Sequence, residues 1–197
     1  MSADLEKVKE LRARTGSAIL DCKNALEETN GDIEKAIELL RKKGIAKAEK
    51  KFERPTIEGV VDSYIHAGER LGVLVEVLTE TDFVARNQEF RQFAHDIAIQ
   101  IAACDPLAVS REDLSLEIIE REKRIYEGQA GTSGKPAQVI EKIVQGKMEK
   151  FYADVCLLEQ PFVKIPEKRI GDYLKEQIAK FGENIRIKRF VRFKLGE

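Results

Sequence analysis

Between residues 71 and 102 the hydrophobic period changes once, and that change confines what the chain can fold into. Leu71, Val73, Val75 and Val77 alternate with Gly72, Leu74 and Glu76, the two-residue period of a strand with one buried face. From Phe90 onward, Phe93, Ala94, Ile97, Ala98, Ile101 and Ala102 recur at three- and four-residue steps, one face of an amphipathic helix that Asn87 can cap. Residues 81–86 are left as a connector, and it holds Phe83 and Val84 among Glu80, Asp82 and Arg86. Two readings of Phe83 are open. In the first it folds back onto the helix entry as a hydrophobic staple. With Asp82 as cap the staple pairs Thr81 with Arg86, and with Asn87 as cap it pairs Arg86 with Arg91; neither pair is apolar, so this reading requires irregular packing onto the core. In the second, the aromatic is displayed on a working tip.

A chain of 197 residues can bury a sizeable core in one or two domains. Its charges nearly cancel: 34 Lys and Arg against 35 Asp and Glu leave −1, so no global electrostatic footprint points to nucleic acid or an anionic membrane. Cys22, Cys104 and Cys156 stand far apart without a CxxC pair, and His66 and His95 form no ligand-spaced set with them. No metal ligand and no cofactor is assigned. Scattered cysteines, no signal peptide and no apolar run of about 18 residues point to the reducing cytoplasm. The run from Gly128 to Lys135 invites a phosphate-loop reading but fails it. Position 129 is Gln where the motif needs Gly, Pro136 follows the lysine, and the preceding segment reads as helix. The carboxylates fall on charged helix faces. No catalytic residue is assigned, and the chain is not expected to be an enzyme.

Taken in order, residues 2–44 read as three short helices. Asp4 can cap the first, with Leu5, Val8 and Leu11 as its stripe; Ser17 can cap the second, over residues 18–28. Asp32 opens the third, with Ile33, Ala36, Ile37 and Leu40 on one face and Gly44 as its stop. Ile19 and Leu20 lie about 100° apart on a helix, so both cannot point at the centre of so small a core. Either they lie along the core boundary or one faces a partner. Residues 46–54 are a charged run ending at Pro55, a linker or a solvated helix. Residues 57–66 and 71–78 read as an antiparallel hairpin. A third strand over residues 184–195 sets Ile185, Ile187, Val191, Phe193 and Leu195 on one face, interrupted by Arg189, and Arg186, Lys188, Phe190, Arg192 and Lys194 on the other. Helical stripes occupy residues 140–152 and 170–181, with a weaker helix over 114–126 and a loop over 128–136.

The heptapeptide Thr81-Asp82-Phe83-Val84-Ala85-Arg86-Asn87 resembles the signature of bacterial elongation factor Ts, the nucleotide-exchange factor family of the GTPase elongation factor Tu. The similarity extends to Arg14-Thr15-Gly16, Asp21-Cys22-Lys23, residues 157–163 and Gly182-Glu183-Asn184-Ile185, and so covers nearly the whole chain. The resemblance implies an α+β protein. Residues 1–45 would form a three-helix bundle of the ubiquitin-associated type, residues 46–56 a charged linker, and residues 57–197 a core and dimerisation domain with a three-stranded antiparallel sheet and helices. It further implies binding to elongation factor Tu in its GDP-bound and nucleotide-free forms, dislodging Mg²⁺ and GDP so that GTP can bind. Thr81, Asp82, Phe83 and Val84 would act at the GTPase's Mg²⁺ site, and Ile19 and Leu20 would supply partner contacts from the bundle. Short members of the family pair their sheets; Val191, Phe193 and the hairpin valines here need cover, so a homodimer is expected. A competing reading makes the chain a helical interaction module joined to an RNA-binding domain, through the basic face of the last strand with Phe190. That reading leaves residues 81–87 unexplained, and no direct nucleic-acid or membrane contact is assigned.

Overall fold

A computed structural model describes residues 5–49, 51–131 and 136–197. In chain order the elements are α1 (Leu5–Thr15), α2 (Ile19–Glu28), α3 (Ile33–Glu49), β1 (Glu58–Ile65), β2 (Leu71–Thr79), α4 (Asp82–Ala85), α5 (Gln88–Cys104), α6 (Leu116–Gly131), α7 (Ala137–Val155), β3 (Pro161–Phe162), β4 (Ile165–Arg169), α8 (Ile170–Phe181) and β5 (Ile185–Lys194). The fold is the expected α+β one: helices first, then a core holding an antiparallel sheet of order β1-β2-β5. A small second sheet, β3-β4, was not legible from periodicity, because its strands are too short to show one.

By compactness the chain divides into two units. The first comprises Met1–Gly59, Leu78–Asn87 and Asp172–Arg186. Its helical bundle closes on Val8, Leu11, Cys22, Ala25, Leu26, Ala36 and Leu40; Val8, Leu11, Ala36 and Leu40 lie on the stripes read in the sequence, whereas Leu5 of the first stripe is exposed. Gly16 ends α1 with φ 67°, and Asn30 and Gly31, at φ 53° and 78°, turn the chain from α2 into α3. Ser17 is not the cap of α2: Ala18 holds that position without a side-chain bond, and the Ser17 amide donates to Thr15 Oγ1 at 3.3 Å. The expected Asp4 cap lies outside the described residues. Gly44 does not stop α3, which runs on to Glu49. Its role is close approach instead, since a Cβ at Gly44 would lie 3.2 Å from Ala179 Cβ on α8. Gly182 ends α8 at φ 75°, its amide bonding Ile178 O at 3.0 Å.

The second unit comprises Val60–Val77, Gln88–Gly171 and Ile187–Glu197. Val73, Val75 and Val77 are buried on β2, and α5 is buried almost all round, from Phe90 to Ala102. Its polar exceptions are satisfied: Asp96 accepts from Gln92 and Lys164, and Gln100 bonds Gln160, Pro161 O and the Val163 amide. The expected loop after residue 126 is helical as far as Gly131, where α6 ends, and residues 132–135 lie outside the described part. Helices α6 and α7 pair around Ala130, Val144 and Met148. Arg111 forks onto Glu149 and Glu159 while lying 4.3 Å over the Tyr152 ring, and both carboxylates raise its pKa further.

The sheet departs from the expected pattern in one respect. The hairpin valines of β2 are already covered, but on its other face Val61, Ile65, Leu74, Val191 and Phe193 are exposed. Contact marks these as one face: a Cβ at Gly72 would lie 3.0 Å from Ile65 Cδ1, and Arg189 meets Glu76 across the strands at 2.6 Å. On the basic face of β5, Phe190 and Arg192 are half-buried.

Two glycines test the packing account. A Cβ at Gly171 would sit 2.9 Å from the Leu158 carbonyl oxygen, whereas one at Gly146, exposed within α7, meets nothing within 4 Å. Gly171→Ala should lower stability by about 1–3 kcal/mol through overpacking. Gly146→Ala should raise it by about 0.5–1 kcal/mol through helix propensity. Denaturant midpoints of the two variants check both signs.

Candidate functional site

The tip begins where β2 runs out. Thr79 is fully buried; the chain bends at Glu80, and Thr81, extended at φ −126° and ψ 153°, caps α4 by accepting from the Val84 amide at 3.4 Å. The cap of α4 is therefore Thr81, not Asp82, while Asn87, weighed as the cap of the longer helix, sits directly before α5. Single-turn α4 sorts its side chains sharply. Val84 and Ala85 are buried, while Asp82, Phe83 and Arg86 point outward. Phe83 is 82% exposed, the most exposed large apolar side chain among the described residues. The staple reading falls: no packing against the core accounts for this aromatic. Asp82 pairs with Arg86 at 3.1 Å, one turn on, an exposed contact worth less than about 1 kcal/mol.

What holds the turn lies a hundred residues away. Glu183 Oε2 accepts from Thr79 Oγ1 at 2.9 Å and from the Thr81 amide at 3.0 Å, and its Oε1 accepts from Thr81 Oγ1 at 2.7 Å. Next to it the Asn184 amide donates to Glu80 Oε1 at 2.6 Å, and the Asn184 side chain donates to Phe52 O and Arg54 O. Sequence reasoning found Glu183 and Asn184 only as part of a resemblance and assigned them no role. The one local signal was Gly182, which stops α8 and so fixes where Glu183 begins.

On α2 the inward face is Cys22, Ala25 and Leu26, which leaves Ile19 56% and Leu20 67% exposed. The core-boundary reading does not hold for either. Of the residues singled out in the sequence, Ile19, Leu20 and residues 81–84 all fall in the first compact unit. Of residues 81–84, Asp82 and Phe83 turn their side chains to solvent; Thr81 is spent on Glu183 and the cap, and Val84 on the core.

Other chemistry gains little from the geometry. Arg192 is engaged by Asp105 at 3.2 Å and by Glu197 at 3.1 Å, and Lys194 also meets Glu197, so half of the basic face of β5 is neutralised within the chain. Burial pushes the Cys156 thiol up to about 11 and raises Cys22 and Cys104 as well, the opposite of an activated thiolate. His95 bonds Asp62 at 2.9 Å and His66 bonds the Tyr64 hydroxyl at 3.0 Å. No metal-holding group of His, Cys, Asp or Glu occurs among the described residues, and no helix there is long and apolar enough to cross a membrane.

Known proteins agree on where such a tip belongs. The family described as "Elongation factor TS" matches residues 1–197. The chain is 60% identical over 192 residues to "Elongation factor Ts" of Carboxydothermus hydrogenoformans, covering 98% of this chain and 88% of that one. It is 55% identical over 197 residues to "Elongation factor Ts" of Thermodesulfovibrio yellowstonii, covering 100% and 98% respectively. With matches running the full length and through the tip, the chain belongs to the elongation factor Ts family, exchange factors for elongation factor Tu that catalyse no chemical reaction themselves.

Proposed function

We propose that this chain binds elongation factor Tu·GDP in the cytoplasm and uses Phe83 as a wedge that dislodges Mg²⁺ and then GDP, leaving the site open to GTP. The observation that supports it most is an aromatic 82% exposed on a turn whose next two residues are buried. A GTPase holds its nucleotide's phosphates through Mg²⁺ and main-chain donors. An exchange factor must make contacts that are stronger in the nucleotide-free complex than in the GDP-bound one, because only differential binding shifts the equilibrium or lowers the barrier. A rigid ring anchored by a buried neighbour meets this requirement, because it loses little entropy on insertion and its anchor transmits the push. Asp82 stands beside it to exchange its Arg86 partner for a polar group of the GTPase. The Mg²⁺ concerned is the partner's own, and the factor needs no cofactor.

Ile19 and Leu20 supply affinity in this reading. Each exposed aliphatic side chain fully buried in a complex contributes about 1.5–3 kcal/mol. The exposed sheet face of Val61, Ile65, Leu74, Val191 and Phe193 supports a homodimer of C₂ symmetry, since a self-complementary apolar sheet face buries itself against its own copy.

Three outcomes check these assignments. Phe83→Ala should lower the rate of fluorescent-GDP release at saturating factor by about tenfold, the equivalent of about 1.4 kcal/mol, with a smaller effect on complex formation; an unchanged stopped-flow rate with a normal fold would refute the wedge. Ile19→Ala combined with Leu20→Ala should weaken binding by roughly tenfold or more in calorimetric titration. Phe193→Asp should halve the mass seen by light scattering at micromolar concentration, and a parent protein that is already monomeric there would sink the dimer.

A further inference from the structure

We infer that Glu183 is the positioning residue of the exchange tip, an inference that rests on the reading of Phe83 as the wedge. Its carboxylate collects the Thr79 hydroxyl, the Thr81 amide and the Thr81 hydroxyl at 2.9, 3.0 and 2.7 Å. The Thr81 hydroxyl donates to Glu183 and, through its oxygen, accepts from the Val84 amide, so the bond to Glu183 orients the cap that forms α4. Phe83 lies between those two residues and makes its own position out of theirs. A carboxylate accepting several donors is a stiff joint, since charge-assisted bonds are shorter and stronger than neutral ones. The joint is doubled in the opposite direction, where Glu80 Oε1 accepts from the Asn184 amide at 2.6 Å. The base of the carboxylate is set in turn by Gly182, whose positive φ ends α8 one residue earlier. An exposed ring on an unsupported turn would populate many orientations, and most would not enter a partner's cleft.

The replacements separate a positioning role from a merely structural one. Glu183→Ala leaves the buried Thr79 hydroxyl and the Thr81 amide without their acceptor. Glu183→Gln keeps one oxygen where both donate, and its NH₂ can face the Thr81 hydroxyl, which still accepts from Val84. Stopped-flow release of fluorescent GDP from elongation factor Tu would be followed against factor concentration for the full chain, the two Glu183 variants, Phe83→Ala and Phe83→Ala/Glu183→Ala. Glu183→Ala should cut the saturating rate about tenfold while the half-saturating concentration stays within about threefold. Glu183→Gln should restore most of the loss. In the Phe83→Ala background, removing Glu183 should cost little more, because the group it positions is gone. Amide hydrogen exchange should quicken at Thr81 and Val84 in Glu183→Ala and stay unchanged in α5. Parental release by Glu183→Ala, or an equal fractional loss with and without Phe83, overturns the inference while the wedge stands. Exchange that quickens throughout α5 makes Glu183 a stability residue only and overturns it too. Parental release by Phe83→Ala removes the wedge and this inference together.

Discussion

The Glu183 carboxylate is the joint that the turn between β2 and α4 meets with three hydrogen bonds. It ties one short stretch, where β2 ends and α4 begins, to the turn after α8, about a hundred residues away in sequence. Each bond by itself is modest, since exchange with water leaves about 1.5–3 kcal/mol for a bond to a charged group. Converging on one side chain they do something that apolar packing does not. They define direction, and direction is what a one-turn helix lacks when left to itself. Val84 and Ala85 add the complementary constraint by filling the core beneath the turn, so that the ring of Phe83 has only solvent to occupy.

The apolar surface left outside the core is divided between the units. In the first it consists of scattered side chains, among them Phe83 on its turn, Ile19 and Leu20 on the opening of α2, and Leu5 and Ile57. In the second it is a flat face of β-branched and aromatic residues on the sheet, flanked by the Arg189–Glu76 pair. Protruding single anchors suit insertion into a partner's pockets, and a flat face suits pairing with an equally flat one. Burial inside the chain, by contrast, is thorough where α5 runs, whose few polar groups are bonded within the fold.

Much of this was legible in the residues. The two-residue period of residues 71–77 and the helical period of residues 90–102 located β2 and α5, because each pattern records which face is apolar. The positive-φ turns at Gly16, Asn30, Gly31 and Gly182 were marked by residue types that tolerate them. Where expectation failed, a local rule met a distant neighbour. Gly44 looked like a helix stop and is a contact point for Ala179; residues 128–131 looked like loop, since glycine weakens a helix, yet they continue α6.

The sequence by itself determined the three opening helices, the hairpin, the last strand, the longer core helices and the family, since these follow from short-range periodicity, turn chemistry and a matched heptapeptide. Tertiary structure alone decided whether Phe83 is buried or displayed, that Thr81 is the cap, and that Glu183 holds it from 102 residues away. It also decided what remains uncovered on the sheet: sequence alternation assigns Ile187 and Phe193 to one face, yet one is buried and the other 68% exposed. The physical reason is the same in each case. Periodicity states which side of an element is apolar, whereas what covers that side, and which distant oxygen meets which donor, depends on where the chain returns in space.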